Sequence, residues 1–166
     1  MKKFVLFALV LFLDFTTKYW VVHHLPHIQP YWGFPFGGVG ILNTALLKIS
    51  IVHTTNTGTA WGLFAGHLKL LLFFRVAITG GLISYLVFFQ PKKNLQIPLT
   101  LICAGAVGNI VDVFLYGHVI DMIYLIFYKY SYPIFNVADS AIFCSVVYLM
   151  VTNYRKKQVK RRARAC

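Results

Sequence analysis

Four apolar stretches, at residues 4–22, 68–89, 97–115 and 135–153, constrain this chain more than any other feature of it. Each is about as long as a helix that crosses the roughly 30 Å hydrocarbon core of a bilayer. In lipid a backbone N–H or C=O finds no water, so an isolated apolar stretch satisfies itself by coiling into an α-helix. The expected fold is therefore a membrane all-α one with four transmembrane helices. Composition agrees, since only 12% of the residues are charged and 58% are hydrophobic, whereas a soluble domain is nearer a quarter charged. Met1-Lys2-Lys3 and the apolar run FVLFALVLFL have the outline of a secretory signal. No small-x-small cleavage site follows, so the first helix is expected to be retained.

Charge sets the expected topology. The net charge is +12, but Arg155, Lys156, Lys157, Lys160, Arg161, Arg162 and Arg164 concentrate much of it in a tail at 154–166. Such a tail suits anionic membrane lipid, and no nucleic-acid partner is expected. Lys2-Lys3, Lys92-Lys93 and the tail fall on one side, so the positive-inside rule makes both termini cytoplasmic and the segments 23–67 and 116–134 external. Three prolines in HHLPHIQPYWGFPFGG break any helix there. The following ILNTALLKISIVHTTNTGTAWGLF alternates in places and carries the β-branched Ile41, Ile49, Ile51 and Val52, which predicts a small external β-sheet. Segment 116–134 reads as a loop. No repeat or linker divides the chain, so 1–166 is expected to be one domain.

The carboxylates are scarce: Asp14, Asp112, Asp121 and Asp139, with no Glu. Asp14 and Lys18, four residues apart, share a helix face as an orienting pair or as part of a site. Asp121 falls in the second external segment and Asp139 in about the first turn of the fourth helix. That segment leaves and returns to the same membrane face, so the two can meet there. Adjacent carboxylates in low dielectric do not both ionise readily, which is the condition for aspartyl hydrolysis. Helix capping and loop ordering explain the same spacing. His23, His24, His27 and His53 lack any metal-binding spacing, and no metal is expected. Cys103, Cys144 and Cys166 make no disulfide framework. Gly105 and Gly108, among small neighbours, allow close helix packing.

Five motifs carry a resemblance. Asp14-x-x-x-Lys18, Asn56-Thr57-Gly58-Thr59-Ala60-Trp61, Gly108-Asn109-Ile110-Val111-Asp112, Val119-Ile120-Asp121 and Phe135-Asn136-Val137-Ala138-Asp139 resemble, in order and spacing, the lipoprotein signal peptidases (signal peptidase II). The resemblance implies a multi-pass aspartyl endopeptidase of the bacterial inner membrane, with its active site at the outer face. Its implied reaction is removal of signal peptides from diacylglyceryl-modified prolipoproteins, cutting before the lipidated Cys. It further implies Asp121 and Asp139 as the catalytic pair. Asn56, Gly58, Asn109, Asp112, Asn136, Ala138, Asp14 and Lys18 are the implied substrate-binding and supporting positions. No cofactor is implied, and the chain is expected to act as a monomer. Val113 stands where the family usually has Arg, which bears on substrate positioning; Thr59 and Trp61 replace the usual Ala and Phe. The alternatives are a small proton-coupled transporter subunit using Asp14, Lys18 and Asp112, and an inactive homologue that binds precursors.

Overall fold

The structure, a computed structural model, describes residues 2–57 and 68–165. Its elements in chain order are α1 (Lys2–His24), β1 (Val39–Asn43), β2 (Leu47–Asn56), α2 (Leu68–Phe88), α3 (Lys93–Tyr116), β3 (Val119–Phe127), β4 (Tyr130–Ser131) and α4 (Val137–Ala165). All four helices are long and apolar enough to cross a membrane. The strands form one antiparallel sheet in the order β1-β2-β3-β4. This is the four-helix membrane architecture with a small sheet that the apolar pattern predicts.

Helix α3 is the centre of the bundle, packing against α1, α2 and α4. Small residues make that possible. A Cβ on Gly105 would run into the carbonyl oxygen of Ala138 on α4, so only glycine lets the two backbones approach this closely. Phe73, Phe88, Phe114 and Phe143 point outward and are largely exposed, as side chains facing lipid tails would be. The α2 helix touches only α3 among the described elements.

The sheet sits at one end of the bundle, where α1 and α3 finish and α4 starts. At the end of α3, Gly117 adopts φ 76°, the left-handed conformation that glycine tolerates best, and its N–H bonds the Val113 carbonyl at 3.0 Å. The chain then turns straight into β3. The first four residues of β3, Val119 to Met122, are buried. Ile120 and Met122 pack with Val21 of α1 in an apolar cluster. Strand alternation sends Asp121 to the opposite face. Across the ladder Asp121 pairs with Thr54 and Val119 with Asn56, beyond a register shift in β2 between Ile51 and Thr54.

Three expectations are corrected. Segment 116–134 is not a loop, because VIDMIYLIF is rich in β-branched and aromatic residues and completes the sheet as β3. Helix α3 starts at Lys93 rather than 97. Helix α4 starts at Val137 rather than 135 and runs on to Ala165 rather than 153, since the Arg, Lys, Gln and Ala of the basic segment are good helix formers.

Candidate active site

The site begins with one buried cation. Lys18 is only 1% exposed, and an ammonium has three N–H donors to satisfy. They reach Asp14 Oδ2 on its own helix at 2.6 Å, Asp112 Oδ2 at 2.7 Å and Asn109 Oδ1 at 3.1 Å on α3. The i,i+4 pair expected from sequence is therefore half of a larger cluster, in which two carboxylates face one ammonium. Such a cluster tolerates burial only because its remaining lone pairs also find donors. Asp14 Oδ1 accepts the Ala138 N–H of α4 at 2.8 Å, and Asp112 Oδ2 accepts the Ile120 N–H of β3 at 3.1 Å. Gly108 leaves room for this, since a Cβ there would lie 2.6 Å from Asp14 Oδ2. The cluster thus ties α1, α3, α4 and β3 together at one point.

Two asparagines pass this order on to the remaining carboxylates. Asn109 accepts from Lys18 and donates from Nδ2 to Asp139 Oδ1 at 2.7 Å. Asn136 stands just before α4, where its Oδ1 accepts the Asp139 N–H at 2.8 Å and its own N–H donates to Asp139 Oδ2 at 3.4 Å. That is a reciprocal capping box. The Asn136 amide Nδ2 also donates to Asp121 Oδ1 at 2.8 Å, with Asn109 Oδ1 and the Ile120 carbonyl each at 3.1 Å. Asn56, at the end of β2, donates to Asp121 Oδ2 at 3.0 Å. Asp121 and Asp139 are thereby bonded to the same residue, Asn136. Capping and convergence, the two explanations that spacing left open, hold together in one geometry.

Electrostatics separates Asp121 from an ordinary surface carboxylate. At 3% exposure its pKa is pushed up to about 7 from an ordinary 3.8. Burial is the main cause and the neighbouring Asp139 adds to it, against the hydrogen bonds from Asn56 and Asn136 and the more distant Lys18. A carboxyl poised near neutrality can hold a proton while its neighbour is charged, so the pair can supply an acid and a base together.

Of the residues singled out in the sequence, Asp14, Lys18, Asn56, Asn109, Asp112, Asp121, Asn136, Ala138 and Asp139 all join this one network. Gly58, Thr59 and Trp61 lie outside the described residues. Val113 is 8% exposed and packed into the protein. The part that sequence reasoning misses is the Ile120 backbone, whose N–H and carbonyl clamp Asp112 and Asn136. Backbone groups leave no mark in the residue pattern. Among the described residues no group of three or more His, Cys, Asp or Glu could hold a metal ion. His23 and His24 bond to backbone carbonyls within α1, and the His27 and His53 rings lie 5.4 Å apart.

Known proteins resemble this chain in sequence and in fold. The family model described as Signal peptidase (SPase) II matches residues 6–155. The lipoprotein signal peptidase of Nostoc punctiforme is 38% identical over 147 residues, covering 87% of this chain and 84% of that protein. That of Psychromonas ingrahamii is 34% identical over 161 residues, covering 92% and 84%. A bacterial membrane enzyme solved in meso at 2.3 Å has the same fold, with a TM-score of 0.78 and 24% identity over 96% of this chain and 91% of that one. A match over nearly the whole chain, together with relatives of this identity and length, establishes that the chain belongs to the signal peptidase II family of aspartic-type peptidases.

Proposed function

We propose that this protein removes signal peptides from diacylglyceryl-modified prolipoproteins, cutting before the lipidated Cys, with Asp121 and Asp139 as its catalytic pair. The observation that carries the reading is the double attachment of Asn136, side chain to Asp121 and backbone to Asp139. It fixes two carboxyls in one place, one of them with a pKa near neutrality. Asp139, ionised and oriented by Asn109, takes a proton from a water as that water attacks the scissile carbonyl. Asp121, protonated, gives its proton to the carbonyl oxygen as the tetrahedral intermediate forms. Collapse breaks the C–N bond as the proton held by Asp139 passes to the leaving nitrogen and one hydroxyl proton of the intermediate returns to Asp121, which restores the pair. No covalent enzyme intermediate forms.

The Lys18 cluster positions this pair. All three of its N–H donors are used on Asp14, Asp112 and Asn109, which suits a fixed strut. The positive-inside rule puts Lys2, Lys3, Lys92 and Lys93 in the cytoplasm and the sheet end, with the pair, at the outer face of the inner membrane. The acyl chains of a substrate can then stay in lipid while its peptide reaches the pair at the interface.

The test is cleavage of a diacylglyceryl-modified precursor peptide by the purified protein in micelles, with products read by mass spectrometry. We expect the lipidated Cys at the new N-terminus and no cleavage of the unmodified peptide. Cleavage elsewhere, or equal cleavage of both peptides, would overturn the assignment.

A further inference from the structure

The other end of the bundle carries a second feature that peptide cleavage does not use. Between α3 and α4 lies a groove of about 370 Å³, lined by Lys93, Asn94, Ile97, Leu101, Ser145 and Tyr148 among others. Its upper wall is apolar and partly exposed, with Ile97 and Tyr148 facing outward. Its mouth is the N-terminus of α3. A 24-residue helix presents partial positive charge there. That end has no side-chain cap and no acidic residue in its first turn, while Lys92 and Lys93 flank it. Further cations, Arg155, Lys156 and Lys157, lie on the last part of α4, which runs antiparallel to α3 toward the same end. The four Asp side chains all belong to the sheet-end network.

One polar group in the groove wall lacks a partner. Ser145 is 3% exposed and its hydroxyl makes no hydrogen bond. A serine in a helix usually returns its hydroxyl to the preceding turn, as Ser140 does to the Asn136 carbonyl. A buried hydroxyl left without a partner is unfavourable. That oxygen has almost no accessible surface, so it is sealed behind the wall and takes no part in what the groove holds.

We propose that the groove holds one anionic phospholipid. Its phosphate lies at Lys93 and the uncapped N-terminus of α3, and one acyl chain runs along Ile97 and Leu101 toward the bilayer centre. The helix axis supports this ordering, since the five residues from Lys93 to Pro98 rise about 7.5 Å into the membrane. Charge complementarity selects the occupant: an apolar groove alone would take any lipid, whereas cations at its mouth favour a net negative headgroup. The site is independent of the peptidase reading and depends only on membrane insertion.

The experiment is native mass spectrometry of the protein released from micelles doped with equal phosphatidylglycerol and phosphatidylcholine of matched chains. We expect one phosphatidylglycerol retained per chain in clear preference to phosphatidylcholine. The double variant K92Q/K93Q should lower that retention by about tenfold or more, each lysine near a lipid surface contributing a several-fold factor. Leu101→Trp, which fills the groove without changing charge, should lower retention of both lipids. Neutralising Arg155, Lys156 and Lys157, which do not line the groove, should lower retention less than K92Q/K93Q does. Equal retention of the two lipids overturns the proposal. So does retention that follows the α4 cations and ignores the groove variants, or a lipid-free species in which a second chain covers the groove.

Discussion

Replacing Asn56 with Ala removes one of the two side-chain donors that, among the described residues, hold Asp121 ionisable, and the sign of the result follows from the geometry. Asn56 Nδ2 lies 3.0 Å from Asp121 Oδ2, and its hydrogen bond lowers a pKa that burial and Asp139 have raised to about 7. Hydrolysis needs one proton on the pair, so in the wild type kcat/KM should fall on the alkaline side with an apparent pKa of about 7. A hydrogen bond to a charged group contributes about 1.5–3 kcal/mol, and about 1.36 kcal/mol corresponds to one pH unit. Without it the proton is held more tightly, and the alkaline limb should move up by about one to two pH units. The remaining donor, Asn136 at 2.8 Å, keeps the carboxyl in place, so the variant should retain activity near neutrality. The assay is kcat/KM for a lipidated precursor peptide from about pH 5 to pH 10, read as the limb of the pair rather than of one residue. A limb that stays put or moves to lower pH would refute the assignment of Asp121 as the proton-holding partner.

The same raised pKa bears on stability. A carboxyl whose folded pKa exceeds its unfolded value weakens the fold once pH passes the unfolded value, and for Asp121 the rise from 3.8 to about 7 corresponds to about 4 kcal/mol at most. Asp121→Asn should therefore unfold at higher temperature than wild type at about pH 8, with the difference shrinking toward pH 4; thermal unfolding in micelles at both pH values checks this. Lys18→Met leaves the carboxylates of Asp14 and Asp112 buried without their ammonium. It should cost about 3–5 kcal/mol, visible as a lowered unfolding temperature and a reduced level of folded protein in membranes. Gly105→Leu should force α3 from α4 at the Ala138 carbonyl and cost about 1–3 kcal/mol. Gly80→Leu, where nothing lies within 4 Å of the added Cβ, should be tolerated in the same thermal assay.

The membrane helices were legible because lipid leaves an apolar stretch of that length little alternative to a helix. Asp14 and Lys18 were legible as a pair because helical periodicity alone brings them together. Lys18 to Asp112 was not, since that contact depends on how α1 packs on α3, and Gly108 gives no sign in sequence of which side chain fills the space it leaves. Strand β3 was readable in VIDMIYLIF but was masked by the expectation that a short segment between two membrane helices is a loop. The convergence of Asp121 and Asp139 followed from topology, whereas the residue that joins them did not. Asn136 looks like an ordinary helix cap until β3 is known to pass beside it.

The claim that Asp121 and Asp139 act as one catalytic pair is tested most directly by substituting each alone. Purified Asp121→Asn and Asp139→Asn proteins, shown by circular dichroism to keep their helices, would be assayed beside the wild type on a lipidated precursor. We expect each single substitution to abolish turnover and the double substitution to add nothing further, because the two carboxyls serve one water. Substantial cleavage by either single variant would remove that residue from the pair and contradict the mechanism.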